Sequence, residues 1–393
     1  MTTVIYGQTA VELYNKGIDK FNLKDIKGAI ADFTRAIELD KSMALAYYNR
    51  GIMQDELHNC KEAISDFTKT IELKPEYAKA YCNRGMAKDN LKDINGAITD
   101  YTKAITLDPK YVDAYYNRGL VKYKLQDYSG AIDDFSKSIE IDPNRADAFC
   151  NRAIAKDQLH DYVGAISDHN KAIELDPKDA FSYNDRGGLR QFLKDYKGAI
   201  EDFNKSIEIN PEYAGAYDNR GLLKCELQDF RGAIDDFSKT IELNPGIEDV
   251  YNNRGSAKYE LQDYIGAISD YNEAIETNPE SSRAYFNRGL SKFELQDFRG
   301  AIDDFNKTIE LNPGVEDIYN NRGSAKYELQ DYMGAISDYN KAIETNPESA
   351  RAYFNRGLSK IKMGKKDRGC LDLNKASELG LAKAYDAIKE YCQ

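Results

Sequence analysis

The chain of 393 residues has no tryptophan, three histidines, nine prolines and no surplus of positive charge. Each shortage excludes something. With 54 Lys and Arg against 66 Asp and Glu, the net charge of −12 argues against a nucleic acid or an anionic membrane as partner. No apolar run approaches the roughly 20 residues of a membrane helix. The first seven residues lack the basic start and apolar core of a secretory signal, so a cytoplasmic location is expected. His58, His160 and His169 form no HExxH pair, and no GxSxG, GxxxxGK[ST] or dinucleotide-type glycine cluster occurs. The expectation is a non-enzyme that uses neither cofactor nor metal. Six cysteines (Cys60, Cys82, Cys150, Cys225, Cys370, Cys392) share no CxxC spacing, which reads as reduced thiols rather than a disulfide or metal framework.

What the chain does have is a period. The stretch Ala284-Tyr-Phe-Asn-Arg-Gly289 returns every 34 residues, with copies starting at Ala46, Ala80, Ala114, Ala148, Ser182, Ala216, Val250, Ile318 and Ala352. A worn first copy reads Glu12-Leu-Tyr-Asn-Lys-Gly17. All nine prolines keep the same interval, from Pro75 to Pro347. A fixed period of 20–50 residues is the mark of a repeat architecture, and it overrides the two or three globular domains that length alone suggests. Apolar residues make up 41% of the chain, enough to bury a core.

Residues 282–315 show one unit. Ala284, Phe286, Leu290, Phe293 and Leu295 recur at helical spacing, and Gln296-Asp297 breaks the pattern. Asp297 is placed to cap a second helix, and its equivalent is Asp in nine of eleven units. The third helical residue is Gly300 instead of Glu, so only half a capping box is present. Ala301, Ile302, Phe305, Ile309 and Leu311 form the apolar stripe of that helix, and Pro313 stops it. A helical hairpin cannot hide its apolar faces alone; stacked neighbours do so, and the result is a solenoid.

The period and the residues Tyr285, Gly289, Ala301, Phe305 and Pro313 resemble the tetratricopeptide repeat pattern, W-x2-L-G-x2-Y, A-x3-F and P. The resemblance implies an all-α, right-handed superhelical solenoid of antiparallel helix pairs. Eleven repeats would occupy residues 10–383, after a lead-in over 1–9. Leu381, Tyr385, Ile388 and Tyr391 mark a C-terminal capping helix over 380–393. Two departures from the family pattern are cationic. Its Leu before the Gly is Arg in ten units, and its Tyr three residues after the Gly is Lys or Arg in ten, as at Lys88, Lys258 and Lys292. Every unit carries an Asp in its second helix. In a hairpin turning near Gln296, Arg288 and Asp304 lie at one level, as do Arg322 and Asp338, so a ladder of Arg–Asp pairs is expected within or between units. The alternative is an anion-binding stripe of arginines. Residues 247–314 and 315–360 match almost residue for residue at a spacing of 68, which points to growth by copying pairs of units.

The resemblance also implies function. In this family first helices line a concave face, and residues varying there choose a protein partner. The corresponding positions include aromatics (Phe21, Tyr123, Tyr259, Phe293, Tyr327) and a mixed column from Tyr48 through Cys82, Tyr116, Cys150, Asn184, Asp218, Asn252, Phe286 and Asn320 to Phe354. Charges counted there are five positive against thirteen negative. An acidic, aromatic groove favours an extended basic or aromatic peptide, with Lys or Arg stacked on rings. It is unlike the basic clamp of the family's chaperone-tail subclass. One column is nearly constant: Asn15, Asn49, Asn83, Asn117, Asn151, Asn219, Asn253, Asn287, Asn321 and Asn355. Such amides can pair with the backbone of a bound chain, or can serve only packing and local hydrogen bonds. The expected role is an interaction scaffold binding protein or peptide. A self-assembling structural protein and an adaptor subunit of an enzyme complex are the alternatives.

Overall fold

The computed structural model describes residues 8–392; 1–7, the greater part of the expected lead-in, and Gln393 lie outside the described residues. Among the described residues there are 23 α-helices and no strand. They gather into two compact units divided between Leu193 and Lys194. The first runs from α1 (Ala10–Asn22) to α11 (Ala180–Phe192), the second from α12 (Tyr196–Ile209) to α23 (Ala382–Tyr391). In each, helices pack in consecutive pairs along the chain. No described helix is long and apolar enough to cross a membrane.

The pair α17 (Ser282–Glu294) and α18 (Phe298–Leu311) shows how the sequence builds a unit. Ser281 accepts the Ala284 N–H at 3.3 Å and starts the first helix. Asp297 accepts the Gly300 N–H at 3.0 Å and starts the second, and all nine equivalent aspartates do the same. The geometry accounts for the missing Glu of the capping box. A Cβ on Gly300 would stand 2.2 Å from an Asp297 carboxylate oxygen, so a larger residue would displace the cap. Thr9, by contrast, forms a complete capping box with Glu12 at the start of α1.

Between the paired helices the chain turns through one residue in the left-handed region. That residue is Lys24, His58, Lys92, Gln126, His160, Lys194, Gln228, Gln262, Gln296 or Gln330, with φ from 60° to 64°, and Gly only at the last such turn, Gly364. The turn is held by the Gln296 N–H donating to Phe293 and the Asp297 N–H to Lys292, both at 2.9 Å. The sequence marks a break at these places but not its handedness, because the residue that ordinarily announces it is absent.

Within the hairpin the helices approach at Gly289, where a Cβ would lie 2.8 Å from the Phe305 ring. Phe305 and Ala301 are completely buried, with Ile318 of the next unit packed beside them. Burying one such Phe contributes about 1.5–3 kcal/mol, and a buried ring recurs at this position in nearly every unit. Successive first helices also touch. In the first unit these are α3 (Ala44–Glu56), α5 (Ala78–Asn90), α7 (Val112–Lys124) and α9 (Ala146–Gln158). In the second they are α13 (Ala214–Glu226), α15 (Glu248–Glu260), α17, α19 (Glu316–Glu328) and α21 (Ala350–Lys362). In a curved stack the elements in mutual contact are the inner ones, so the first helices form the inner layer of each unit.

The C-terminal helix departs from expectation in two ways. Gly380 (φ 89°) ends α22 (Lys366–Glu378), but α23 packs through Ala384 and Ala387, and Tyr385 is 57% exposed. A disulfide joins Cys370 in α22 to Cys392, with 5.8 Å between their Cα atoms. This overturns the reading of six reduced thiols. The cause is spatial: the two cysteines are 22 residues apart in sequence and meet only because α23 folds back on α22.

Replacing Gln262, Gln296 or Gln330 by Gly should raise stability by about 1 kcal/mol each, since only Gly adopts this conformation without strain. Urea denaturation of each single variant checks it; unchanged midpoints would show that the turns carry no strain.

Candidate functional site

The site can be built from the side chains that the first helices present, beginning with those already committed to the stack. Arg288 is committed. Its Nε and Nη2 donate to the two carboxylate oxygens of Asp304 at 3.0 and 2.6 Å, and its Nη1 donates to Asn272 of the preceding unit at 2.6 Å. Its guanidinium lies over the Tyr285 ring at 5.3 Å, while Lys292 binds the same carboxylate at 2.8 Å. Arg322 repeats the arrangement with Asp338, Asn306, Tyr319 and Lys326. The bidentate pair recurs at Arg50, Arg84, Arg118, Arg152, Arg220, Arg254 and Arg356, within a hairpin each time, and its third bond reaches the second helix of the preceding repeat. Asp304 is 3% exposed, so these arginines are joints and not a stripe open to anions.

Removing Asp304 strands two cations at once, Arg288 and Lys292. Asp304→Leu should therefore lose about 3–5 kcal/mol, whereas Asp304→Leu with Arg288→Met should recover part of it. A double-mutant cycle in urea reads this directly, and a double variant no better than the single one refutes it.

The asparagine column lies on the inner layer, half-buried apart from the exposed Asn15 and the more deeply placed Asn321, but its members differ in what they bind. In the first unit the amides from Asn49 onward are taken. Asn49 donates to Tyr14, Asn83 to Tyr48 and Asn151 to Tyr116 at 2.9–3.0 Å, and Asn117 points to the Cys82 sulfur at 3.9 Å. Each partner lies 35 residues earlier, in the preceding repeat. In the second unit Asn253 and Asn321 each accept a hydrogen bond from the next repeat, from Arg283 and Arg351 at 2.9 Å. Asn219 sits half-buried at the same register. Asn287 and Asn355 have no side-chain hydrogen bond among the described residues, and these amides face the groove unspent.

The mixed column from Tyr48 to Phe354 was expected to line the groove; much of it is buried instead. Cys82 is 2% exposed, and Asn252 and Asn320 are sealed completely. The residue 29 positions later, at the start of the next first helix, closes over several of them. Tyr77 meets Tyr48 with 4.9 Å between ring centroids, Arg145 lies over Tyr116 at 4.0 Å, and Lys383 lies over Phe354 at 4.6 Å. Asn252 and Ser281 both donate to Glu248, and Asn320 and Ser349 both to Glu316. This column is a joint between repeats.

The aromatic column stays half-open. Tyr123, Tyr259, Phe293 and Tyr327 are half-buried, each edge-on to the first ring of the following helix (Tyr128, Tyr264, Phe298, Tyr332) at 5.2–5.3 Å. Several inner carboxylates are matched: Asp89 by Lys124 at 2.7 Å, Asp113 and Asp147 by Arg145, and Asp249 loosely by Arg283 at 3.6 Å. Glu260, Glu294 and Glu328 are exposed and form no ion pair among the described residues. Burial, with Glu294 adding to it, pushes the Tyr259 hydroxyl up to about 12. Burial, then the neighbouring Asp249, holds the Asp218 carboxyl above its ordinary value, and one of its oxygens has no hydrogen-bond partner.

A carboxyl raised on folding weakens the fold once it ionises. The penalty is absent below the ordinary carboxylate value and complete above the raised one. Asp218→Asn should accordingly be more stable than the natural chain at pH 7, with the gain shrinking toward pH 4. Thermal melts at both values check it, and a loss of stability at pH 7 would reverse the assignment.

Comparison with known proteins bears on the repeat itself. Models described as tetratricopeptide repeat match residues 112–145, 282–315 and 182–213, and one described as TPR repeat matches 90–126, 255–296 and 323–364. No curated protein sequence matches significantly. Among solved structures, YrrB, titled a TPR protein with an unusual peptide-binding site, is 23% identical, with a TM-score of 0.44 over 47% of this chain and 95% of its own. The Cut9–Hcn1 hetero-tetramer of APC/C is 13% identical, with a TM-score of 0.48 over 98% and 97%. A tetratricopeptide repeat protein from Parabacteroides merdae is 21% identical, with a TM-score of 0.47 over 63% and 96%.

Proposed function

Because the chain belongs to the tetratricopeptide repeat family, whose fold serves as a protein–protein interaction scaffold, we propose that it is a non-enzymatic scaffold holding an extended basic segment of a protein. The segment lies along the inner layer of the second unit. The observation that carries this reading is the row Glu260, Glu294 and Glu328. These carboxylates are exposed, form no ion pair among the described residues, and are set next in sequence to the half-open rings Tyr259, Phe293 and Tyr327. Carboxylates beside ring faces favour Lys and Arg, and they speed the approach of a cationic chain. Asn287 and Asn355 add amides that can pair with the segment's backbone.

The test is capture from the source cells followed by cross-linking and mass spectrometry, with Glu260, Glu294 and Glu328 changed together to Gln in parallel. The expected result is a partner cross-linked to α15, α17 and α19 through a basic stretch, held at least about tenfold more weakly by the variant. Equal capture by both proteins, or cross-links confined to the second helices, would overturn the reading.

A charge asymmetry supports self-association as a second reading. Residues 194–350 hold 17 Lys and Arg against 31 Asp and Glu, whereas 351–393 hold 10 against 5. The end of one copy is thus electrostatically matched to the body of another. A mass by light scattering that rises with concentration and falls with added salt would support this, and a constant mass would remove it.

A further inference from the structure

The inner layer of the second unit contains one cavity of distinct chemistry. It measures about 180 Å³ and is lined by Ser324, Tyr327 and Glu328 of α19, Tyr339 of α20 (Tyr332–Thr345), and Asn355 and Leu358 of α21. Its polar floor is a relay in which the Tyr339 hydroxyl donates to Ser324 at 3.4 Å and Ser324 donates to the Asn320 carbonyl at 2.9 Å. Glu328 is exposed at one wall, and the Asn355 amide is unspent.

The same set recurs 68 residues earlier: Ser256, Tyr259 and Glu260 of α15, Tyr271 of α16 (Tyr264–Thr277), and Asn287 and Leu290 of α17. Its relay is the same, Tyr271 to Ser256 at 3.4 Å and Ser256 to the Asn252 carbonyl at 2.8 Å. The position between them differs. There Leu290 replaces the serine, Phe305 the second tyrosine, and the Asn321 amide is bonded to Arg351. Polar positions therefore alternate with a less polar one, and the two amides of the second unit that have no side-chain hydrogen bond among the described residues, Asn287 and Asn355, fall at the two polar positions.

We propose that this cavity and the matching pocket formed by the same residue set 68 positions earlier each receive an arginine side chain from one extended segment. Each offers a carboxylate, a half-open tyrosine ring and several oxygens that accept hydrogen bonds, which suits a flat guanidinium with five donors better than a compact ammonium. The chain displays the chemistry itself on an inner helix of its first unit. There Arg145 lies over the Tyr116 ring at 4.0 Å while donating to Asp113 and Asp147 at 2.6 and 2.9 Å. Two inner-helix steps of roughly 10 Å each separate the pockets, and an extended chain advances about 3.3 Å per residue. The arginines should thus stand about six residues apart. The inference rests on the groove reading above and adds to it the residue type and the spacing.

The test uses the full-length chain and fluorescein-labelled Gly/Ser peptides carrying two arginines, separated by two to ten residues, read by fluorescence anisotropy. Peptides with one arginine or two lysines serve as comparisons. Binding should be tightest near a separation of six. Glu260→Gln and Glu328→Gln should each weaken it about fivefold, and together multiplicatively. Glu273→Gln and Glu276→Gln, on a second helix, should change nothing. Binding that ignores spacing and both pocket variants would overturn the two-pocket inference while leaving a basic groove standing. Failure of every cationic peptide to bind would overturn the groove reading as well.

Discussion

One guanidinium in each repeat after the first does the connecting. Arg288 grips a carboxylate in its own hairpin, a side-chain oxygen in the preceding repeat and the face of a ring one turn back, and Lys292 shares the carboxylate. Three directions are fixed at once: the level of the two helices, the rotation of one repeat against the last, and the tilt of the first helix. Hydrophobic burial around Phe305 supplies most of the stabilisation, but oily surfaces slide. A forked, planar donor does not slide, because displacing it by one helical turn strands a buried charge.

The remaining chemistry of the inner layer follows from what the joints leave over. Residues near the start of each first helix are covered by the next repeat; those near its end remain open. Hence Asn252 is sealed while Tyr259 and Glu260, two helical turns further on, meet solvent. A surface assembled this way has its binding groups at the turn end of each helix, repeated at a fixed interval. It is suited to reading spacing along a chain more than the shape of a folded partner.

Much of this was legible in the sequence. The hairpin, its Asp cap and the levels of Arg288 and Asp304 follow from residues within one 34-residue unit, where helical geometry converts number into position. What escaped the reading depends on neighbours. Tyr14 holds Asn49 from 35 residues away, and Lys383 covers Phe354 from 29; neither interval is visible until repeats are stacked. The buried column was mistaken for groove lining because family register gives the face of a helix, not what is laid upon it. The Cys370–Cys392 bridge escaped for the same reason, and the left-handed turns because Gln and Lys carry no mark of them.

The two ends of the array are not secured alike. The first helix begins with a Thr9–Glu12 capping box worth about 1 kcal/mol, which closes only on that helix itself. The last helix is tied covalently to its neighbour across 22 residues. Repeat arrays unravel from whichever terminal unit frays most readily, since each unit is supported only by the next. Fraying of α23 from α22 therefore stays on a covalent leash, and the two helices re-pack without having to find each other again.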